Sequence, residues 1–208
     1  MFKPFAERSN EKMQEVLMNP KATAPGVHYY MIRGGSEKTN ITVWETGFAE
    51  AADVESAVAS ESFGEMKEYI KTYGHYHVGN ISETYSILQG EGILLLQTRK
   101  RDADGKPIDD EIEKFEALKV KAGDKIFIKP EIGHLMVNIG KIWLVTSDNS
   151  PVYPDDVDPV GLPGHADYES VKKMGGFAYF VVEKDGAPAL VPNPKYKTIP
   201  PAEIVEFK

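Results

Sequence analysis

The chain has no cysteine, which excludes disulfides and every mechanism built on a thiolate nucleophile or thiolate metal ligand. It has no apolar run of membrane-spanning length and no apolar signal core near its first residues. A soluble, cytoplasmic protein is therefore expected. Basic charge is scarce, with Lys+Arg 24 against Asp+Glu 32 and a formal net charge of −8. That balance argues against nucleic acid and against an anionic membrane as partners. An anionic small molecule would need a locally positive pocket, which a bound cation can supply. The sequence also lacks an internal repeat and any linker that would separate one domain from another.

What is present suits one turn-rich β domain. At 208 residues the chain can bury a single core, and 41% apolar residues with Gly 18 and Pro 14 fit many short strands. A short helix is expected at Glu11–Met18, stopped by Asn19-Pro20. Strands are expected at Val27–Arg33, Asn40–Glu45, Gly92–Thr98, Lys125–Lys129, Lys141–Ser147 and Ala178–Lys184, with Gly34-Gly35 and Asp185-Gly186 as turns. The Ala-, Glu- and Ser-rich Ala49–Met66 reads as an insertion with minor helical character, either a solvated surface loop or a flap beside a pocket mouth. Arg99–Pro107 reads as a charged hairpin loop whose three basic residues face solvent, and Pro151–Pro163 as a long loop. Residues 109–120 carry both a helical face and strand signals; a strand from about Glu113 is the reading preferred. The domain plan is an extension over 1–26, a β core over 27–191 and an extended surface tail over 192–208. A sandwich or small barrel follows from the density of turns.

The chemistry concentrates in Lys71–Leu96. His75 and His77 are two apart, so on a strand both side chains point to one face. Gly79-Asn80 reads as a turn. If the chain folds back there, Glu83 is carried to the histidine face, with Tyr85 two residues on. Downstream, Pro130–Gly133 reads as a turn leading into His134, which shares a face with Met136 and Asn138. Two imidazoles and a carboxylate, with a third imidazole in reach, make a divalent-metal site with open positions. The set suits Fe²⁺, Mn²⁺, Ni²⁺ or Zn²⁺, and the residues by themselves do not choose among them. His28 lies outside the motifs and reads as structural.

The spacing of these residues resembles a known family. His75-x-His77, five residues, Glu83, six residues, Gly90 is similar to the first cupin motif. Gly123, Pro130, His134 and Asn138 are similar to the second, although no glycine lies six residues before His75. Flanking pieces narrow the resemblance to the cupin-type glucose-6-phosphate isomerases: KEYIKTYGHYH (67–77), SETYSILQGEGILLLQT (82–98), PEIGHLMVNIG (130–140), HADY (165–168) and NPKYK (193–197). The resemblance implies an all-β double-stranded β-helix, a jelly-roll-like barrel, with one divalent metal held by His75, His77, Glu83 and His134. It implies a sugar phosphate as substrate, held at Thr42, Thr72, Gly74 and Tyr85, with His165 nearby. Glu83 would be the base that moves a proton between two sugar carbons, and the protein would be a homodimer. Three alternatives stay open: another sugar-phosphate isomerase, an Fe(II) oxygenase on the same ligands, and a sugar-binding cupin without activity.

Overall fold

The computed structural model describes residues 6–21, 27–33, 40–44, 48–49, 67–150 and 164–208. The expected turn at Gly34-Gly35, the loop 151–163 and the insertion from residue 50 to 66 lie outside the described residues.

The chain opens with β1 (Ala6–Ser9) and α1 (Asn10–Met13), then a 3-10 turn at Gln14–Val16. The helix expected over Glu11–Met18 is therefore a single α turn that tightens and stops before Leu17. The reason is tertiary: Met13, Val16 and Leu17 all bury in the core, and the extended Leu17 carries the chain along it. Next come β2 (Val27–Arg33), β3 (Asn40–Trp44), β4 (Phe48–Ala49), β5 (Lys67–Tyr69) and β6 (Tyr76–His77). The central run is β7 (Glu83–Gln89), β8 (Glu91–Arg101), β9 (Pro107–Lys121), β10 (Lys125–Ile128), β11 (Gly133–Asn138) and β12 (Leu144–Asp148). The chain closes with β13 (Ala166–Asp167), α2 (Glu169–Met174), β14 (Tyr179–Lys184), β15 (Ala187–Pro192) and β16 (Ile204–Glu206). No helix among the described residues is long and apolar enough to cross a membrane.

Two sheets make the barrel, one ordered β1-β2-β3-β12-β7-β10 and one ordered β11-β8-β9-β16. From β7 to β12 the chain passes back and forth between them: β7, β10 and β12 lie in the first sheet, β8, β9 and β11 in the second. This is the all-β, jelly-roll-like double-stranded β-helix that the motifs imply. Glu83, Tyr85 and Ile87 point inward from β7 while Thr84 and Ser86 are half-buried, the alternation of a strand with one covered face.

The second sheet is covered on both faces. Leu94, Leu96 and Met136 point into the barrel beside Tyr85 and Ile128. Ile93, Leu95, Leu135 and Val137 point the other way, into an outer core with Phe177, Val181 and Met13. The unbroken apolar run of β8 follows from this double burial.

Several boundaries differ from expectation. β8 continues through Arg99–Arg101, and β9 begins at Pro107, so the loop is shorter than Arg99–Pro107. The three basic residues are on the strand, each with an acidic partner: Arg99 with Asp109, Lys100 with Glu111 and Arg101 with Glu131. Residues 109–120 are strand throughout, starting earlier than Glu113. The strand expected at Lys141–Ser147 is β12 and starts at Leu144. The tail from Pro192 is extended but does not only lie on the surface. Asn193 and Tyr196 are buried, and β16 adds to β9 in parallel. Helix α2 was not anticipated; it ends on Gly175 at φ 65, the left-handed conformation that glycine adopts without strain.

Candidate metal centre

The ligand atoms of His75, His77, Glu83 and His134 all lie within 4.8 Å of one another. Three different pairings bring them together. His75 forms a bridge with His134, each backbone N–H donating to the other's carbonyl at 3.1 and 3.0 Å. His77 sits on β6, which pairs with β13 rather than with β7. Glu83 comes from the opposite sheet, where β7 pairs with β10. The turn at Gly79-Asn80 thus carries the chain across the barrel mouth instead of closing a ladder between β6 and β7. The imidazole rings stand 4.3 Å apart for His75 and His134, 4.8 Å for His75 and His77, and 5.2 Å for His77 and His134.

The ring orientations are fixed from behind. His77 Nδ1 lies 2.8 Å from the Gly164 carbonyl, so this nitrogen carries the proton that the carbonyl accepts. His134 Nδ1 faces the Ile132 carbonyl at 3.4 Å. Both rings then aim Nε2 at one atom, Glu83 Oε2, at 2.9 Å from His77 and 3.0 Å from His134. His134 Nε2 is buried, and although near this oxygen it is off the directions a hydrogen bond requires. A buried nitrogen without a hydrogen bond, a second nitrogen converging beside it and a buried carboxylate form a donor set that a divalent cation completes. These residues fit a metal, and backbone carbonyls behind two of the imidazoles are the usual way such ligands are oriented.

The electrostatics agree. Burial works against the charge on Glu83, yet His134 and His77 together hold its carboxyl well below the usual carboxylate range. Burial pulls the His77 imidazole down, but the hydrogen bond and charge of Glu83, with the Gly164 carbonyl, outweigh it and raise it. A carboxylate that stays ionised while nearly excluded from water is a standing attraction for a cation.

The remaining candidate residues take varied positions. Tyr85 is buried in the barrel with its ring 5.6 Å from that of His134. Thr72 is buried, and its Oγ1 accepts the Met136 N–H at 3.2 Å. Gly74 has φ 81, and a Cβ there would stand 2.7 Å from Phe177 Cε1, so its α-carbon packs against the outer core. His165 is half-buried; its carbonyl accepts the Val78 N–H at 2.9 Å, and its ring is not among the clustered ligands. Thr42 lies on β3 opposite Thr146, and its side chain, like that of His28, is outside the described residues.

Two supporting residues escaped sequence reasoning. Gln97 Nε2 donates to the Tyr76 hydroxyl at 2.8 Å and lies 3.3 Å from the Tyr196 hydroxyl, while its Oε1 accepts the Ala178 N–H at 3.0 Å. Tyr76 stands between the two histidines, so this network backs the pair. The signal was a lone amide closing the apolar run Gly92–Leu96 at Gln97. Tyr168, the last residue of HADY, sets its ring 5.5 Å from that of His75.

Comparison with known proteins gives the family. The family model for "Glucose-6-phosphate isomerase (GPI)" matches residues 57–195, a stretch that holds all four clustered residues. The chain belongs to this family. A glucose-6-phosphate isomerase of Thermococcus onnurineus is 33% identical over 135 residues, covering 63% of this chain and 58% of the relative. That of Pyrococcus furiosus is 31% identical with the same coverage. The chain therefore spans a little over half the length of the curated relatives it matches. Among solved structures, the Drosophila melanogaster CENP-C cupin domain overlays with a TM-score of 0.36 at 10% identity, over 62% of this chain and 74% of that domain.

Proposed function

We propose that the protein is a metal-dependent aldose–ketose isomerase that interconverts glucose 6-phosphate and fructose 6-phosphate. The observation that carries this reading is the convergence of His77 and His134 on Glu83 Oε2 inside the stretch that matches the isomerase family. His75, His77, Glu83 and His134 would hold one divalent ion, Fe²⁺ by first choice. When bound, such an ion polarises the sugar's carbonyl and hydroxyl oxygens and stabilises the negative charge that develops on them.

The residues of the chain do the rest. Four protein ligands leave positions open for sugar oxygens. Tyr85 stands next to His134 inside the barrel, where its hydroxyl can meet the sugar or its phosphate. Thr72, Gly74, Thr42 and His165 are assigned to the substrate by family resemblance. Glu83 is the group assigned to proton transfer between C1 and C2. Its carboxyl is held well below the usual range, which makes it a weak base. That favours a second reading, in which a hydride passes directly between the carbons and Glu83 serves only as a ligand. A cytoplasmic homodimer belongs to the same proposal, on the resemblance alone.

The test is isomerase activity on glucose 6-phosphate before and after chelation, followed by add-back of single metals. Activity that is lost on chelation and returns with one metal supports the reading. Activity that survives complete metal removal overturns it, and oxygen consumption with metal restored points to an oxygenase instead.

A further inference from the structure

The basic run Arg99–Arg101 divides its side chains. Arg99 and Arg101 line a cavity of about 380 Å³, together with His77, Asn80, Thr98 and Glu131. Lys100 does not line it and pairs instead with Glu111. The cavity reaches His77, whose Nε2 faces Glu83, so it lies at the edge of the proposed metal centre. Arg99 is held in place on two sides. Its Nη1 donates to Asp109 Oδ1 at 2.8 Å, and its guanidinium carbon stands 4.0 Å from the centre of the Tyr76 ring. Asp109 is shared, because Lys173 Nζ donates to its Oδ2 at 2.8 Å. One carboxylate therefore faces two cations, and positive charge is left over. A guanidinium has five N–H donors, and Arg99 spends one of them on the described residues.

Arg101 shows what the cavity accepts. Its Nη2 pairs with Glu131 Oε1 at 2.6 Å, and its Nη1 donates to the Gly105 carbonyl. Glu131 thus seats an oxyanion on Arg101 from within the chain. That seat is weak. The two side chains are 44% and 61% exposed, and an ion pair so open to water adds little to stability. Glu131 also has φ 67, a left-handed backbone that residues with a long side chain rarely adopt. Strain of this kind concentrates at ligand clamps and switch segments. The hairpin's own Asp102 is occupied elsewhere, its Oδ1 accepting the Asp104 and Lys106 N–H groups. With Glu131 turned aside, the cations Arg99, Arg101 and Lys173 face Asp109 alone. A phosphate group carries more charge than a carboxylate, and guanidinium binds it through paired N–H groups.

We propose that this cavity is a phosphate-class oxyanion site, in which Arg101 and Arg99 bind the anion and Glu131 is the internal competitor that it displaces. An acidic chain needs a locally positive pocket for a phosphorylated ligand, and here two guanidiniums stand beside a proposed metal ligand. The anion is either the substrate's own phosphate, with the sugar toward His77, or the phosphate of a separate small molecule. The site stands without the isomerase reading; only the first of these sources rests on it.

The experiment titrates inorganic phosphate into the whole protein by calorimetry at low ionic strength, and into Arg101→Gln, Glu131→Gln and Lys106→Gln. Arg101→Gln should weaken phosphate about tenfold to a hundredfold, the contribution of one charge-assisted hydrogen bond. Glu131→Gln should tighten it about two- to fivefold by removing the competitor. Lys106→Gln takes the same charge from the same exposed hairpin without lining the cavity, and should change affinity by less than about twofold. No phosphate binding by the wild type, or equal binding by Arg101→Gln, overturns the site. So does an equal loss in Lys106→Gln, which marks diffuse attraction. Phosphate that Glu131→Gln fails to tighten overturns the competition. Isomerase kinetics then identify the source. If the anion is the substrate's phosphate, Arg101→Gln raises KM for glucose 6-phosphate more than it lowers kcat, and inorganic phosphate inhibits competitively. If it belongs to a separate molecule, KM keeps its wild-type value and phosphate binds together with glucose 6-phosphate. A protein that binds phosphate in this pattern yet isomerises nothing sinks the proposed function and leaves the site standing.

Discussion

His77 Nε2 and His134 Nε2 approach the same oxygen of Glu83, at 2.9 and 3.0 Å, from two strands that are not neighbours in either barrel sheet. Glu83→Gln keeps the shape and one carbonyl oxygen but cannot accept a proton as a base. If Glu83 moves the proton, the variant should retain much of its metal and lose about 10²–10⁴-fold in turnover, the contribution of a positioned base. If hydride shifts directly, the loss should be smaller and should track metal content. Metal analysis and kcat on one preparation separate the two, and deuterium in product formed in D₂O would favour proton transfer.

Gly74 combines a positive φ with a Cβ position 2.7 Å from Phe177. Gly74→Ala should destabilise the protein by about 1–3 kcal/mol through backbone strain alone, with more from displacing Phe177. Because His75 is the next residue, metal affinity should fall as well. Denaturant unfolding and metal titration of the variant check both; a fully stable Gly74→Ala protein would contradict the packing described.

Gln97 serves two phenols and one backbone N–H from a position that is fully buried. Gln97→Leu keeps the size and strands the Tyr76 hydroxyl and the Ala178 N–H, while the Tyr196 hydroxyl keeps its bond to the Gly176 carbonyl; the expected loss is about 1–3 kcal/mol for each buried group left unsatisfied. Chemical denaturation should show the drop without a change in denaturant slope.

Tyr76 gives a pH signature. Burial raises its phenol to about 12, and this outweighs the opposing pull of Arg99 and Gln97. A group whose folded value is raised favours the protonated folded state. Its contribution is complete below the unfolded value of about 10 and is lost as pH rises toward about 12. The loss should amount to about 3 kcal/mol, two pH units at 1.36 kcal/mol each. Tyr76→Phe should flatten the fall in stability over that interval; an unchanged alkaline limb would count against the buried phenol.

The clustering of His75, His77, Glu83 and His134 was legible in the sequence because spacing on strands is a short-range property. His75 and His77 share a side at i, i+2, and the Glu83 alternation on β7 is regular. The partner of each strand was not legible. The Gly79-Asn80 turn suggested a hairpin between β6 and β7, yet β6 pairs with β13, about ninety residues away. Nor did local pattern reveal the ion pairs of Arg99–Arg101, since three adjacent basic residues look alike on a strand or in a loop. The N-terminal helix was overextended because its apolar residues serve a core that local propensity does not see. Gln97 and Tyr168 act through contacts at long sequence separation, and single residues carry no such signal.

The sheet β11-β8-β9-β16 is a shared wall. Alternate residues of β8 and β11 belong to different interiors, one holding the proposed metal ligands and one holding the C-terminal elements. Neither interior can be dismantled while the other stands, because losing the wall opens both at once. The barrel and its outer coat should therefore melt as one cooperative unit. Proteolytic removal of the C-terminal strands would then leave no smaller barrel behind, and loosening the coat would be felt at the ligands before any ligand is touched.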